Sequence, residues 1–171
     1  MGIFPVSGNM NSKINSELSS LSTAYEKLAF VLVKNDNNIH LASEIIQKEF
    51  DVDIINISIE LSKLLGPEKE TRYPFLVNKK LDEIIDKFSA EILVLRNIEL
   101  LYEPILKLNV IQSLKNISRQ RAIIVFWPGI FEDNYLIYAT PAHPEYTRDY
   151  IGSLPVFSFK NKTISYLSGG Y

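Results

Sequence analysis

The strongest constraint on this chain is a set of short segments that are apolar almost throughout. Residues 28–33 read LAFVLV, residues 92–95 read ILVL, and residues 121–127 read RAIIVFW. A strand with one wet face alternates apolar and polar side chains; a strand covered on both faces does not. Between these runs the apolar residues recur at helical spacing. Leu41, Ala42, Ile45, Ile46 and Phe50 mark one helix, and residues 59–65 mark a shorter one stopped by Gly66 and Pro67. Leu81, Ile84, Ile85 and Phe88 fall at i, i+3, i+4 and i+7, with Asn78 placed to cap them. Pro104 opens a further helix whose apolar face is Ile105, Leu108, Ile111 or Val110, Leu114 and Ile117. Residues 52–57 and 135–139 read as additional strands. Residues 156–159 and 163–167 flank Lys160, Asn161 and Lys162 as a hairpin. Buried strands alternating with amphipathic helices predict an α/β three-layer sandwich with a mostly parallel sheet, right-handed crossovers and a small C-terminal β-hairpin.

Residues 1–9 read as a flexible leader, and residues 10–171 as a single domain. Met10, Ile14, Leu18, Leu21 and Tyr25 predict an amphipathic helix ahead of the first strand. Residues 66–74 (GPEKETRYP) read as an exposed loop. No apolar run approaches the roughly 18–20 residues that span a bilayer. The first residues lack a basic stretch followed by an apolar one, so a cytoplasmic protein with no membrane partner is expected. The chain has no cysteine, which excludes a disulfide framework, a thiolate metal site and a cysteine nucleophile. With two histidines and no cysteine, no metal site is expected. A formal net charge of −2 argues against a strongly basic nucleic-acid binder.

In a parallel sheet, ligands sit outside the C-terminal strand ends. A phosphate-binding turn after the first strand needs GxxxxGK[ST]. Its glycines let backbone N–H groups wrap the phosphates, the lysine neutralises them, and the hydroxyl holds Mg²⁺. Here the turn reads Lys34, Asn35, Asp36, Asn37, Asn38, Ile39, His40, Leu41, with no glycine. His40 falls in the lysine slot and Leu41, which cannot ligate Mg²⁺, in the hydroxyl slot. Asp36 repels phosphate. Asparagines tolerate positive φ, so Asn35, Asn37 and Asn38 can keep the shape of such a turn without its chemistry. A magnesium-serving aspartate is expected at the end of the third strand. That position holds Arg96, with Asn97 next and Glu99 three residues on.

A series of short motifs adds to this reading. Residues 95–104 read LRNIELLYEP. They are followed by Ser118, Arg119, Gln120 and Arg121; by Trp127, Pro128 and Gly129; and by Pro141, Ala142, His143, Pro144, Glu145 and Tyr146. The series, across residues 28–150, resembles BrxF, the small P-loop-containing family of type 3 BREX phage-defence systems. The resemblance implies a P-loop NTPase-like fold and a defence context. The family carries an intact phosphate loop and an aspartate at the position of Arg96, and this chain has neither. What the resemblance implies is therefore a pseudo-P-loop subunit without ATPase activity. It would bind other defence proteins or a second copy of itself and take no cofactor. An atypical nucleotide-binding ATPase using ATP–Mg²⁺, and a DNA-contacting accessory protein, are the alternatives.

Four residues form the candidate interaction surface: Trp127, His143, Glu145 and Tyr146. His143 lies between prolines and reads either as an imidazole paired with Glu145 or as part of a rigid loop that bonds backbone. Tyr135, Tyr138, Tyr146 and Tyr150 fall nearby, and tyrosine is enriched at interfaces. Lys107, Lys115, Arg119 and Arg121 form a candidate basic patch for the DNA backbone, or simply a solvated helix face.

Overall fold

In the computed structural model the described residues are 16–17, 19–21 and 23–168. The leader over 1–9 and the start of the first expected helix lie outside them. Helical backbone is present at 16, 17 and 19–21, and the chain has left the helix by Tyr25.

Among the described residues nine strands follow: β1 (Leu28–Leu32), β2 (Val52–Asn56), β3 (Ile92–Arg96), β4 (Ala122–Trp127), β5 (Ile130–Glu132), β6 (Tyr135–Tyr138), β7 (Thr147–Tyr150), β8 (Val156–Lys160) and β9 (Thr163–Ser168). Four α-helices connect them: α1 (Asp36–Glu49), α2 (Ile57–Leu65), α3 (Tyr73–Asp86) and α4 (Val110–Ile117). Six strands form the main sheet, in the order β2-β3-β4-β1-β8-β9. All its pairs are parallel except β8 with β9. The remaining strands form an antiparallel sheet in the order β5-β6-β7.

The crossover from β1 to β2 runs in the opposite direction to those from β2 to β3 and from β3 to β4. Right-handed crossovers then require helices on opposite faces. The core obeys this. Ala29, Val31, Ile124 and Phe126 pack with Ile39, Ala42 and Ile46 of α1 on one face. Leu28, Phe30, Ile123 and Val125 pack with α2, α3 and α4 on the other. The reversal puts a crevice at the C-terminal ends of β1 and β4, the place where open α/β sheets take ligands.

Several expectations are corrected. Residues 135–139 do not add a strand to the parallel sheet; β6 is the centre of the small antiparallel one. Its Leu136, together with Ile151, packs into the same core as α2–α4. The small sheet therefore fills the layer that a crossover helix would occupy between β4 and β8. The C-terminal hairpin is not an appendage, because β8 pairs in parallel with β1 and completes the main sheet. The helix expected from Pro104 is broken. A 3₁₀ turn over Pro104–Leu106 ends at Lys107, whose φ is 48°, and α4 starts afresh behind the Asn109 cap. The expected loop over 66–74 contains a 3₁₀ turn, Glu70–Arg72, and α3 begins at Tyr73 with Pro74 in its first turn. Asn78 is therefore no cap; its side chain accepts a hydrogen bond from the Ser113 hydroxyl at 2.7 Å and ties α3 to α4. Among the described residues, no helix is long and apolar enough to cross a membrane.

Candidate functional site

At the edge of the sheet where β1, β3 and β4 end, the β1–α1 connection is short. β1 ends at Leu32 and α1 starts at Asp36, leaving only Val33, Lys34 and Asn35 between them. Asn35 takes φ 61° and ψ 154°, and its side-chain oxygen accepts the Asn38 N–H at 2.9 Å. That is an N-cap. Asn35 keeps the positive φ expected of the turn, whereas Asn37, Asn38, His40 and Leu41 are helical rather than loop residues. His40 is exposed and lies 3.4 Å from Glu44, one turn along the helix. Asp36 occupies the first turn, where its charge meets the positive end of the helix dipole. One N–H at the helix start, that of Asn38, is thus served by the chain's own cap, and the Asp36 carboxylate stands beside it.

The end of β3 is equally occupied. Arg96 donates from Nε to the Asn97 side-chain oxygen at 2.7 Å. The same oxygen accepts from Asn56 Nδ2 at 3.2 Å. Asn97 has φ 54°, and its carbonyl accepts from both the backbone N–H and the hydroxyl of Ser58. Asn56 in turn caps α2 through the Ile59 N–H at 3.1 Å. Arg96 is therefore part of a polar clasp joining the ends of β2 and β3. Glu99, exposed at the start of a 3₁₀ turn, is not part of it. The residues at these two positions do not fit ATP–Mg²⁺: His40 and Leu41 stand in the lysine and hydroxyl slots, and Arg96 stands where an aspartate would serve the ion. Among the described residues, no group of three or more His, Asp or Glu side chains is placed to hold a metal.

Trp127 is fully buried, so it stands behind the expected interaction surface rather than on it. Its ring meets Phe30, Tyr102 and Tyr138 edge-on, with centroids 6.0, 5.8 and 6.1 Å away. Tyr102 and Tyr138 stack at 3.9 Å and 5°. This cluster fastens the small sheet to the main one. Among the described residues, Trp127 Nε1 is buried without a hydrogen-bond partner. Burial first, then Glu145, Glu99 and Glu103, pushes the Tyr138 hydroxyl up to about 12. Those carboxylates make this part of the edge acidic.

His143 does not pair with the Glu145 carboxylate. Its Nδ1 accepts the Glu145 backbone N–H at 3.1 Å, and two turns bracket it, from Thr140 to His143 and from His143 to Tyr146. The result is a stiff loop in which residues 141–144 are exposed and Glu145 and Tyr146 half-buried. Tyr135 meets Tyr150 edge-on at 5.4 Å, and the Arg148 guanidinium lies 3.6 Å from the centre of the Tyr135 ring.

The basic patch comes apart. Lys107 precedes α4, while Arg119 and Arg121 follow it, about 12 Å further along a helix of this length. Arg121 donates to the Phe88 and Ala90 carbonyls at 2.7 and 3.0 Å and anchors the α3–β3 connection. The Arg119 guanidinium lies 4.9 Å from the centre of the Tyr25 ring. Lys115 is half-buried and acts on Asp149.

Burial raises the Asp149 carboxyl above its ordinary 3.8, and Thr147, then Lys115, only partly oppose this. A raised carboxyl favours folding in its protonated form, so stability falls as pH rises through the raised value. Asp149→Asn is therefore expected to melt above wild type at pH 7, and to match it below pH 3.8, where both side chains are neutral. Because the group is partly solvated, the expected gain is small. Thermal melts at the two pH values check it.

Sequence reasoning missed Asn56, Ser58 and Asn97, whose roles depend on the adjacency of β2 and β3. It also missed Tyr102, which the 3₁₀ turn after β3 carries under Tyr138. No protein-family model, no curated protein and no solved structure matches the chain.

Proposed function

We propose that this chain is a non-catalytic subunit of a BREX-type defence assembly, built on a P-loop-like scaffold and acting by binding protein. The observation that carries this reading is the β1–α1 connection, too short and without the glycines to cradle a phosphate, with Asp36 at the helix start and Asn35 as its own cap. Two of the motifs shared with the resembling family, Trp127–Gly129 and Pro141–Tyr146, lie instead on the other side of the edge. There a stiffened loop offers Pro141, His143 and Pro144 to solvent, with Tyr146 half-covered beside it. A loop already held by its own hydrogen bonds loses little entropy on docking. Glu99, Glu103 and Glu145 around Tyr138 favour a partner that presents basic groups. The same acidity disfavours a DNA backbone at this edge.

Size-exclusion and pull-down experiments on wild type and the double variant His143→Ala/Tyr146→Ala test it, with circular dichroism as the check on folding. The folded variant is expected to lose its partner or change oligomeric state. If it keeps both, the motifs over residues 127–146 are packing features and the surface is misplaced.

A further inference from the structure

A crevice of about 540 Å³ opens between the small sheet and the main one. It lies on the side of β1 away from β3, and so apart from the Arg96–Asn97 clasp. Phe157, Phe159, Ile164 and Tyr166 turn to the α1 face, so Ser158, Lys160 and Leu167 turn to the opposite face and into this crevice. Its floor is Leu32 and Leu167, and its wall is Gly129, Ile130 and Phe131. Ile130 and Leu167, each 46% exposed, both line the crevice. At the mouth stand two lysines from adjacent strand ends, Lys34 and Lys160. Neither makes an ion pair among the described residues. No aspartate or glutamate lines the cavity.

We infer that this crevice binds a small amphipathic anion, with an apolar body against Leu32, Ile130, Phe131 and Leu167 and an acidic head between Lys34 and Lys160. The volume is that of a drug-sized ligand site. An apolar cleft with two unneutralised cations at one end selects for charge and greasiness together. A neutral apolar molecule would leave the lysines unpaired, and a purely ionic one would leave the aliphatic floor wet. The crevice shares Gly129, Ile130 and Phe131 with the 127–146 stretch but not the exposed loop over 141–146, so the proposal stands whether or not that loop binds a partner.

The probe is anilinonaphthalene sulfonate, a flat aromatic monoanion that fluoresces when shielded from water, titrated against the folded full chain. Saturable binding at roughly 10–100 μM is expected. Phenylnaphthylamine, the same ring system without the sulfonate, is expected to bind about tenfold more weakly or worse. The double variant Lys34→Gln/Lys160→Gln alters only exposed side chains and should keep the fold, and it is expected to lose about tenfold for the anion and nothing for the neutral dye. Leu167→Asp should weaken both dyes. Equal affinity for the two dyes, or an anion affinity unchanged in the lysine variant, overturns the proposal. A variant that melts below wild type is replaced by Lys160→Gln alone, read in the same way.

Discussion

Gly129→Ala is expected to lower the melting temperature by about 10 °C or more. A Cβ built at Gly129 would overlap the Ile137 carbonyl oxygen and come within 2.9 Å of Trp127 Nε1. The first obstacle is backbone in the centre strand of the small sheet, and the second belongs to a fully buried indole wedged among Phe30, Tyr102 and Tyr138. Neither can yield without moving the layer it belongs to. Overpacking of this kind costs about 3 kcal/mol or more, and a protein of this size loses about 2–4 °C per kcal/mol. Gly152→Ala separates crowding from backbone preference. Gly152 has φ +61°, but its added Cβ meets nothing nearer than 3.8 Å. It should cost only the roughly 1–2 kcal/mol of a left-handed conformation. Calorimetric melts of the two variants check the contrast. The single tryptophan gives a second readout, since Trp127 emission shifts red only when the two sheets separate. If both glycine variants fall equally, the close approach at Gly129 is not what limits that position.

Calorimetric titration with ATP–Mg²⁺ is expected to give no binding stronger than about 1 mM. An intact phosphate loop supplies several charge-assisted hydrogen bonds at roughly 1.5–3 kcal/mol each. Losing three of them costs about three to six orders of magnitude in affinity. Here the lysine slot carries His40, which faces Glu44, and the hydroxyl slot carries Leu41. Asp36 adds repulsion at the helix start, and Arg96 puts a positive charge where an ion would sit. A dissociation constant below about 10 μM would refute the lost-site reading.

The parallel strands could be read because LAFVL, ILVL and AIIVFW are apolar on both faces, and only a doubly covered sheet needs that. YLIY at 135–138 has the same look for a different reason. Leu136 and Tyr138 of this centre strand face the main core, and Tyr135, with Tyr150 and Arg148, lies on the other face. An apolar run does not say which sheet it joins. β7 was invisible because TRDY alternates at a solvent edge and carries two charges. The break at Lys107 left no trace either, since lysine signals no left-handed turn. For the candidate site, the chemistry of the β1–α1 turn was legible, because missing glycines and a present aspartate are facts of sequence. Its length was not, and length is what put six of the eight expected turn positions, Asp36 to Leu41, into helix. The burial of Trp127 followed from Tyr102 and Tyr138 closing over it, a pairing set by tertiary structure alone.

β1 lies between β4 and β8, so its neighbours are made long after it. Val31 aligns with Phe126 on one side and Phe157 on the other, 95 and 126 positions later in the chain. At synthesis rates of about 5–20 residues per second, the LAFVL segment leaves the ribosome roughly 5–20 seconds before either edge can pair. During that interval it is an uncharged, β-prone stretch with both edges open, the kind of segment that holdase chaperones shield and that neighbouring nascent chains on one messenger can capture. The strand most deeply enclosed in the finished molecule is therefore its most vulnerable element while the polypeptide is being made.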